Sequence, residues 1–172
     1  MYLDLGDAHC VRSYVAADAA ALARHANNAA VARGLRDRFP HPYTRADAET
    51  FLRGIAGGPA ESDFALATPD EVIGGIGVQR QQDVHRLTAE IGYWLGEPFW
   101  GRGIATRAVC GLGDWLFATT PLERLFACVF ESNPASARVL EKAGYQFEGR
   151  MRRAVYKDGR VLDQLLYARL RP

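Results

Sequence analysis

Cysteine is scarce in this chain: 172 residues carry three, Cys10, Cys110 and Cys128. No two are close enough in sequence for a metal knuckle or a redox pair, and an odd number argues against a disulfide framework. The four histidines show no metal-ligand spacing either, so no metal site is expected. No stretch approaches the roughly 18 consecutive apolar residues that a membrane span needs. Neither sign of charge dominates, since 21 Lys and Arg against 20 Asp and Glu leave a formal net charge of +1. Bulk electrostatics therefore give no reason to expect a nucleic acid or a membrane surface as partner. Internal repeats, low-complexity tracts and linkers are absent. The segment Met1–Asp7 has acids where a secretory leader needs bases, and no apolar h-region. The expectation is a soluble, cytoplasmic, reduced protein.

Hydrophobic content of 48% and charged content of 24% are ordinary for a globular protein. The length fits one domain, residues 1–172, with a core of useful size. Read in order, residues 11–15 form a short strand. Asp18 is a plausible cap for the helix-forming run from Ala19 to Ala26, which the Asn27-Asn28 pair ends. Two prolines, Pro40 and Pro42, keep the following loop irregular. Thr44 caps a second helix, with Asp47 completing a short-armed capping box, and Gly57-Gly58-Pro59 stops it. Three strands follow as a meander: 63–68, 72–79 and 86–95. Gly74, Gly75 and Gly77 thin the second and point to a bulge or a close backbone approach. A helix from Ile104 comes next, with Ala105, Ala108, Val109, Leu112, Trp115 and Leu116 on one face, and then a strand at 125–130. Asn133-Pro134 opens a last helix with a cap and a first-turn proline, and Gly144 closes it. Strands 145–156 and 161–169 meet at Lys157-Asp158-Gly159, a tight-turn sequence. The expected fold is α+β, a mixed and mostly antiparallel sheet of about seven strands flanked by about four helices.

The stretch from Glu90 to Ala108 organises the chain. A strand rich in Ile91, Tyr93, Trp94 and Leu95 meets the breaker Gly96-Glu97-Pro98. A small turn, Gly101-Arg102-Gly103, then leads into a helix. A glycine turn before a helix N-terminus binds anions, because the first backbone N–H groups have no internal partner and the helix dipole is positive there. Three phosphate loops compete for it. A P-loop needs Lys-Ser/Thr after the last glycine, and Ile104-Ala105 stand there instead. A dinucleotide fingerprint needs a third glycine in a parallel βαβ unit, but Thr106 holds that position and the preceding strands read as a meander. The third is a coenzyme A loop.

Three segments carry a resemblance: 89–95 (Ala-Glu-Ile-Gly-Tyr-Trp-Leu), 99–106 (Phe-Trp-Gly-Arg-Gly-Ile-Ala-Thr) and 133–145 (Asn-Pro-Ala-Ser-Ala-Arg-Val-Leu-Glu-Lys-Ala-Gly-Tyr). In order and spacing, the chain resembles the GNAT (Gcn5-related N-acetyltransferase) superfamily, in particular its ribosomal-protein N-terminal acetyltransferase branch. The resemblance covers nearly the whole chain. It implies a GNAT fold with splayed central strands, acetyl-CoA as cofactor, and transfer of the acetyl group to a primary amine by direct attack in a ternary complex. The general loop of the family is Gln/Arg-x-x-Gly-x-Gly/Ala. Gly103 and Ala105 match it, and Trp100 departs from it at the first position. The resemblance assigns Trp100, Gly101, Arg102, Gly103, Ile104, Ala105 and Thr106 to the pyrophosphate, chiefly through backbone N–H groups. It assigns Tyr93, Trp94 and Leu95 to the pantetheine arm.

Acetyl transfer needs a neutral amine, a polarised thioester carbonyl, a stabilised oxyanion and a proton for the leaving thiolate. Glu90 is the candidate base, directly or through a water: an acid between apolar Ala89 and Ile91 is poorly hydrated, and several GNAT enzymes place a glutamate on this strand. The alternative is a structural carboxylate near His85 or Arg86. A backbone N–H near Trp94 or Leu95 would polarise the carbonyl. Asn133 resembles the GNAT asparagine that bonds pantetheine or the acetyl region, although it also has a capping use. The tyrosine that many GNAT enzymes use to protonate the thiolate is replaced here by Leu140. Ser136 is the available hydroxyl one turn earlier. His41 and Tyr43 face either the acceptor or the loop core, and Cys128 reads as a small interior residue. Arg150, Arg152 and Arg153 would draw an acidic acceptor or the CoA 3′-phosphate, or form a solvated face. The acceptor is a peptide N-terminus or a small amine such as a polyamine, amino acid or antibiotic. A CoA-binding module without turnover is the alternative of another class. The chain is expected as a monomer or a homodimer.

Overall fold

The computed structural model describes residues 1–56 and 62–172. The expected helix stop at Gly57-Gly58-Pro59 lies outside the described residues. In chain order the elements are β1 (Tyr2–Gly6), β2 (His9–Arg12), α1 (Ala19–Ala26), α2 (Ala29–Arg33), α3 (Arg45–Ala56), β3 (Asp63–Ala67), β4 (Val72–Arg80), β5 (Thr88–Leu95), α4 (Ile104–Thr119), β6 (Arg124–Phe130), α5 (Pro134–Lys142), β7 (Gln146–Lys157) and β8 (Arg160–Leu170). The strands form one eight-stranded sheet in the order β1-β2-β3-β4-β5-β6-β8-β7. Only β5–β6 pairs in parallel among the registers described; the others are antiparallel. The sheet has one strand more than expected. β1 is an edge strand that exposes most of its residues, so it lacks the apolar alternation that marks a half-buried strand. The second strand runs over His9–Arg12 rather than 11–15.

The chain divides into two compact units. The first comprises Met1–Gly77 and Tyr93–Ile104. Its helices pack on the sheet through Ala19, Leu22 and Ala26 of α1, Ala48 of α3 and Tyr43, against Ala65 and Val72. Burying a side chain such as Leu22, 1% exposed, contributes about 1.5–3 kcal/mol. Asp18 does not cap α1 through its side chain. It accepts two hydrogen bonds from the Arg12 guanidinium at 2.7 and 2.8 Å, and one from the Val15 N–H at 2.9 Å. Burial favours this pairing, because an unpartnered carboxylate would be costly there. Asn28 caps a short helix, α2, taking the N–H groups of Ala30 and Val31 on its Oδ1. Thr44 and Asp47 form the expected reciprocal box at the start of α3. The β4 glycines permit close approach: a Cβ on Gly74 would lie 2.4 Å from the Trp94 carbonyl oxygen, and one on Gly75 2.4 Å from the Tyr14 hydroxyl.

The second unit comprises Val78–Gly92 and Ala105–Pro172. Here α4 buries Ala108, Val109, Leu112 and Leu116, and α5 buries Ala137 and Leu140. β6 pairs with β8 from Arg124↔Leu170 to Phe130↔Gln164. The β7–β8 hairpin turns at Asp158 and Gly159, both with positive φ (50° and 74°), as a type I′ turn requires. Beyond the strand end, Arg171 donates to the carbonyls of Phe117, Thr120 and Leu122 at 2.5–3.0 Å. It thereby satisfies groups that the end of α4 and the following loop leave open.

Candidate active site

In the first unit, the site begins with the edge of β5. The Gly96 N–H donates to the Ile73 carbonyl on β4 at 2.8 Å. Strand backbone groups alternate between the two neighbouring edges. Gly96 and Trp94 therefore address β4, while Tyr93 and Leu95 turn their N–H groups to the opposite edge. The Trp94 side chain is committed to packing, with its ring centroid 5.4 Å from that of Phe39. Of the two N–H groups considered for polarising the carbonyl, that of Trp94 therefore faces β4 and that of Leu95 faces away from it.

The Leu95 carbonyl accepts a hydrogen bond from the Trp100 indole at 2.6 Å. The departure from the family loop thus has a structural use: Trp100 folds the 3-10 turn Glu97–Phe99 back on the strand end. The turn is held from α1 and the loop after it. Asn28 donates to the Glu97 carboxylate at 2.6 Å, and the His25 ring meets the Phe99 ring edge-on at 5.3 Å. The Arg102 guanidinium lies over Phe99 at 5.7 Å. Gly101 and Gly103 have φ of 76° and 73°, conformations that cost other residues about 1–2 kcal/mol. Ile104, the first residue of α4, is 1% exposed. The first turn of α4 carries no acidic residue. Glycines in left-handed conformations ahead of a helix start fit a pyrophosphate, because such a site binds through backbone N–H groups and no acidic side chain lies in the first turn. Ala105 and Thr106 continue this turn half-buried.

In the second unit, Glu90 is half-buried on β5 and opposite Phe126 in the parallel ladder. Ala89 and Ile91 on the other face of the strand are 0% and 2% exposed. Gly92 shares the face of Glu90 by the two-residue period, and a Cβ there would have nothing within 4 Å. The face beside the carboxylate is therefore open. In the sequence, the only signal at Gly92 is a glycine inside a strand. The β5–β6 ladder pairs Thr88 with Arg124, Ala89 with Leu125 and Glu90 with Phe126; β5 then runs on to Leu95 and β6 to Phe130. Asn133 caps α5, its Oδ1 accepting the Ser136 N–H at 3.2 Å, which leaves the amide NH2 as its donor end. Ser136 is half-buried one turn in. Leu140, at the usual tyrosine position, is 0% exposed and serves the core.

Tyr43 belongs to the loop core. It is 6% exposed, packs on Phe39 at 5.0 Å, and burial together with the Asp47 charge pushes its hydroxyl pKa up to about 12. His41 is exposed. Cys128 is half-buried on β6 opposite Leu166. Arg150 is an ion-pair residue, 3.0 Å from the Glu131 carboxylate and 2.9 Å from that of Asp163. Among the described residues no helix is long and apolar enough to cross a membrane, and no cluster of metal-ligating side chains occurs.

Comparison with known proteins agrees with this geometry. The Acetyltransferase (GNAT) domain family matches residues 10–146. The uncharacterized N-acetyltransferase YoaA of Bacillus subtilis is 36% identical over 102 residues, 59% of this chain and 57% of that protein. The ribosomal-protein-serine acetyltransferase of Escherichia coli is 34% identical over 107 residues, 62% of this chain and 59% of that protein. The matched regions thus span less than two thirds of these relatives' own length. Among solved structures, Mycobacterium smegmatis RimJ in complex with CoA-disulfide superposes with a TM-score of 0.83 at 25% identity, covering 94% of this chain and 81% of that one. The family match covers both strand–turn–helix segments and the cap of α5, and on it the chain belongs to the GNAT acetyltransferase family.

Proposed function

We propose that residues 1–172 act as one acetyltransferase domain that moves an acetyl group from acetyl-CoA to a primary amine, the α-amine of a protein N-terminus. The observation that carries this reading is the pair of left-handed glycines, Gly101 and Gly103, opening a helix whose first turn has no acid. The kinship with a ribosomal-protein-serine acetyltransferase points to the α-amine. An α-amine has a reference pKa of about 7.7–8.0, against about 10.4 for lysine, so a modest base suffices to keep it neutral.

Acetyl-CoA supplies the acetyl group as an activated thioester. Backbone N–H groups of residues 101–106 take the pyrophosphate, with Arg102 adding charge. The edge of β5 that faces away from β4, at Tyr93 and Leu95, takes the pantetheine arm, and the Leu95 N–H polarises the carbonyl. Glu90 removes the proton from the amine, which enters over the open face at Gly92. The Asn133 amide orients the acetyl end, and the Ser136 hydroxyl returns a proton to sulfur. Glu90→Gln tests the base. Turnover should fall at least tenfold while CoA affinity is retained; unchanged turnover across pH 6–9 would remove Glu90 from the role.

A further inference from the structure

β7 is distorted at one place. Met151 pairs with Gln164 and Val155 with Leu162, so residues 152–154 bulge out opposite Asp163 alone. At the bulge, Arg153 has a φ of 55°, a left-handed conformation that long side chains avoid. Strain of this kind persists only where surrounding contacts over-determine it, and such sites cluster where a protein binds or acts. The contacts are plain. The Asp163 Oδ1 accepts the Arg153 N–H at 2.8 Å, and its Oδ2 accepts Arg150 Nη1 at 2.9 Å. The Asp163 N–H donates to Glu131 Oε1 at 2.9 Å, and the Glu131 N–H returns a bond to the Asp163 carbonyl at 3.1 Å. Arg150 also pairs with Glu131 Oε2 at 3.0 Å.

This network has two consequences. It uses both carboxylates on Arg150 and on backbone, while Arg152 and Arg153 remain exposed; the Arg153 N–H and Arg150 do most to hold the Asp163 carboxyl below its ordinary range, and the Arg152 charge adds to this. It also fastens the bulge to Glu131, two residues ahead of Asn133, at the turn that leads into Asn133 and Ser136. Two consecutive exposed arginines, carried by a strained bulge that is tied to that turn, offer an anion-reading surface.

We infer that Arg152 and Arg153 select the acceptor, favouring peptides that carry acidic side chains just after the amine to be acetylated. The inference rests on the acetyl-transfer reading. Each carboxylate–guanidinium contact at such a rim adds a few-fold to affinity, sensitive to salt.

The test uses two labelled heptapeptides with free N-termini, one with Asp and Glu at its second to fourth positions, the other with Asn and Gln. Binding is followed by fluorescence anisotropy in the presence of CoA, and turnover by CoA release. The variant is Arg152→Gln with Arg153→Gly, because glycine keeps the left-handed bulge. Its melting temperature and CoA affinity report on folding. The wild-type protein should bind the acidic peptide roughly fivefold to tenfold tighter at about 50 mM salt, with the preference shrinking at high salt. The variant should bind both peptides alike. Equal binding by the wild-type protein, or a preference that survives in the variant, overturns the inference. So does a loss of acetyl-CoA affinity with peptide selectivity intact, which would assign the arginines to the 3′-phosphate. A protein that releases no CoA with either peptide fails as a transferase, and the anisotropy arm still decides the bulge.

Discussion

The Trp100 indole N–H bonds the Leu95 carbonyl at 2.6 Å, closing the strand end over the turn that precedes the glycines. Trp100→Phe keeps the ring and removes the donor. A net hydrogen bond is worth about 1 kcal/mol. The KM for acetyl-CoA is therefore expected to rise about fivefold, with kcat little changed. Steady-state kinetics at saturating acceptor check this.

Gly101 and Gly103 occupy left-handed conformations at φ of 76° and 73°. A Cβ on Gly101 would meet nothing within 4 Å, so there the backbone alone decides. Gly101→Ala and Gly103→Ala should each weaken CoA binding by roughly tenfold, following the 1–2 kcal/mol cost of that conformation. Isothermal calorimetry measures it directly.

Gly92 offers the open face beside Glu90. Gly92→Val fills that space and suits a strand, so the protein should fold normally. The KM for the acceptor is expected to rise at least tenfold while CoA affinity stays within about twofold. A matched change in both would move Gly92 out of the acceptor path.

Asp47 is held below the ordinary carboxylate range, first by the Thr44 hydroxyl and then by the Thr44 N–H. Its folded pKa is depressed, so its contribution to stability is present above the unfolded value, about 3.9. It is lost as pH falls through the folded value. Asp47→Ala should lower the melting temperature at pH 7, and the gap from the wild-type protein should close as the pH drops below about 4. A gap that is constant with pH would contradict the charged box.

Local chemistry made much of this fold legible in the sequence. Asn133-Pro134, Thr44 with Asp47, and Asp158-Gly159 act within three residues of themselves, and each forms the cap or turn expected. What stayed hidden depends on distant partners. Asp18 looked like a helix cap because its ion-pair partner, Arg12, lies on β2, outside the helix it precedes. Trp100 looked like a defect of the loop until the Leu95 carbonyl stood beside it. The β7 bulge needs Asp163 and Glu131, from β8 and the turn after β6, and nothing in the run Arg150–Val155 announces it. β1 escaped notice because an exposed edge strand carries no apolar alternation.

Acetyl transfer to an α-amine is the proposed reaction. The direct measurement is free CoA released from acetyl-CoA with a panel of peptides bearing free N-termini, set against N-terminally blocked peptides containing lysine and against small amines, with products identified by mass spectrometry. The expected result is release that depends on a free N-terminus, with the acetyl group on the α-nitrogen. CoA binding without release for any acceptor, or release only with small amines, would contradict it.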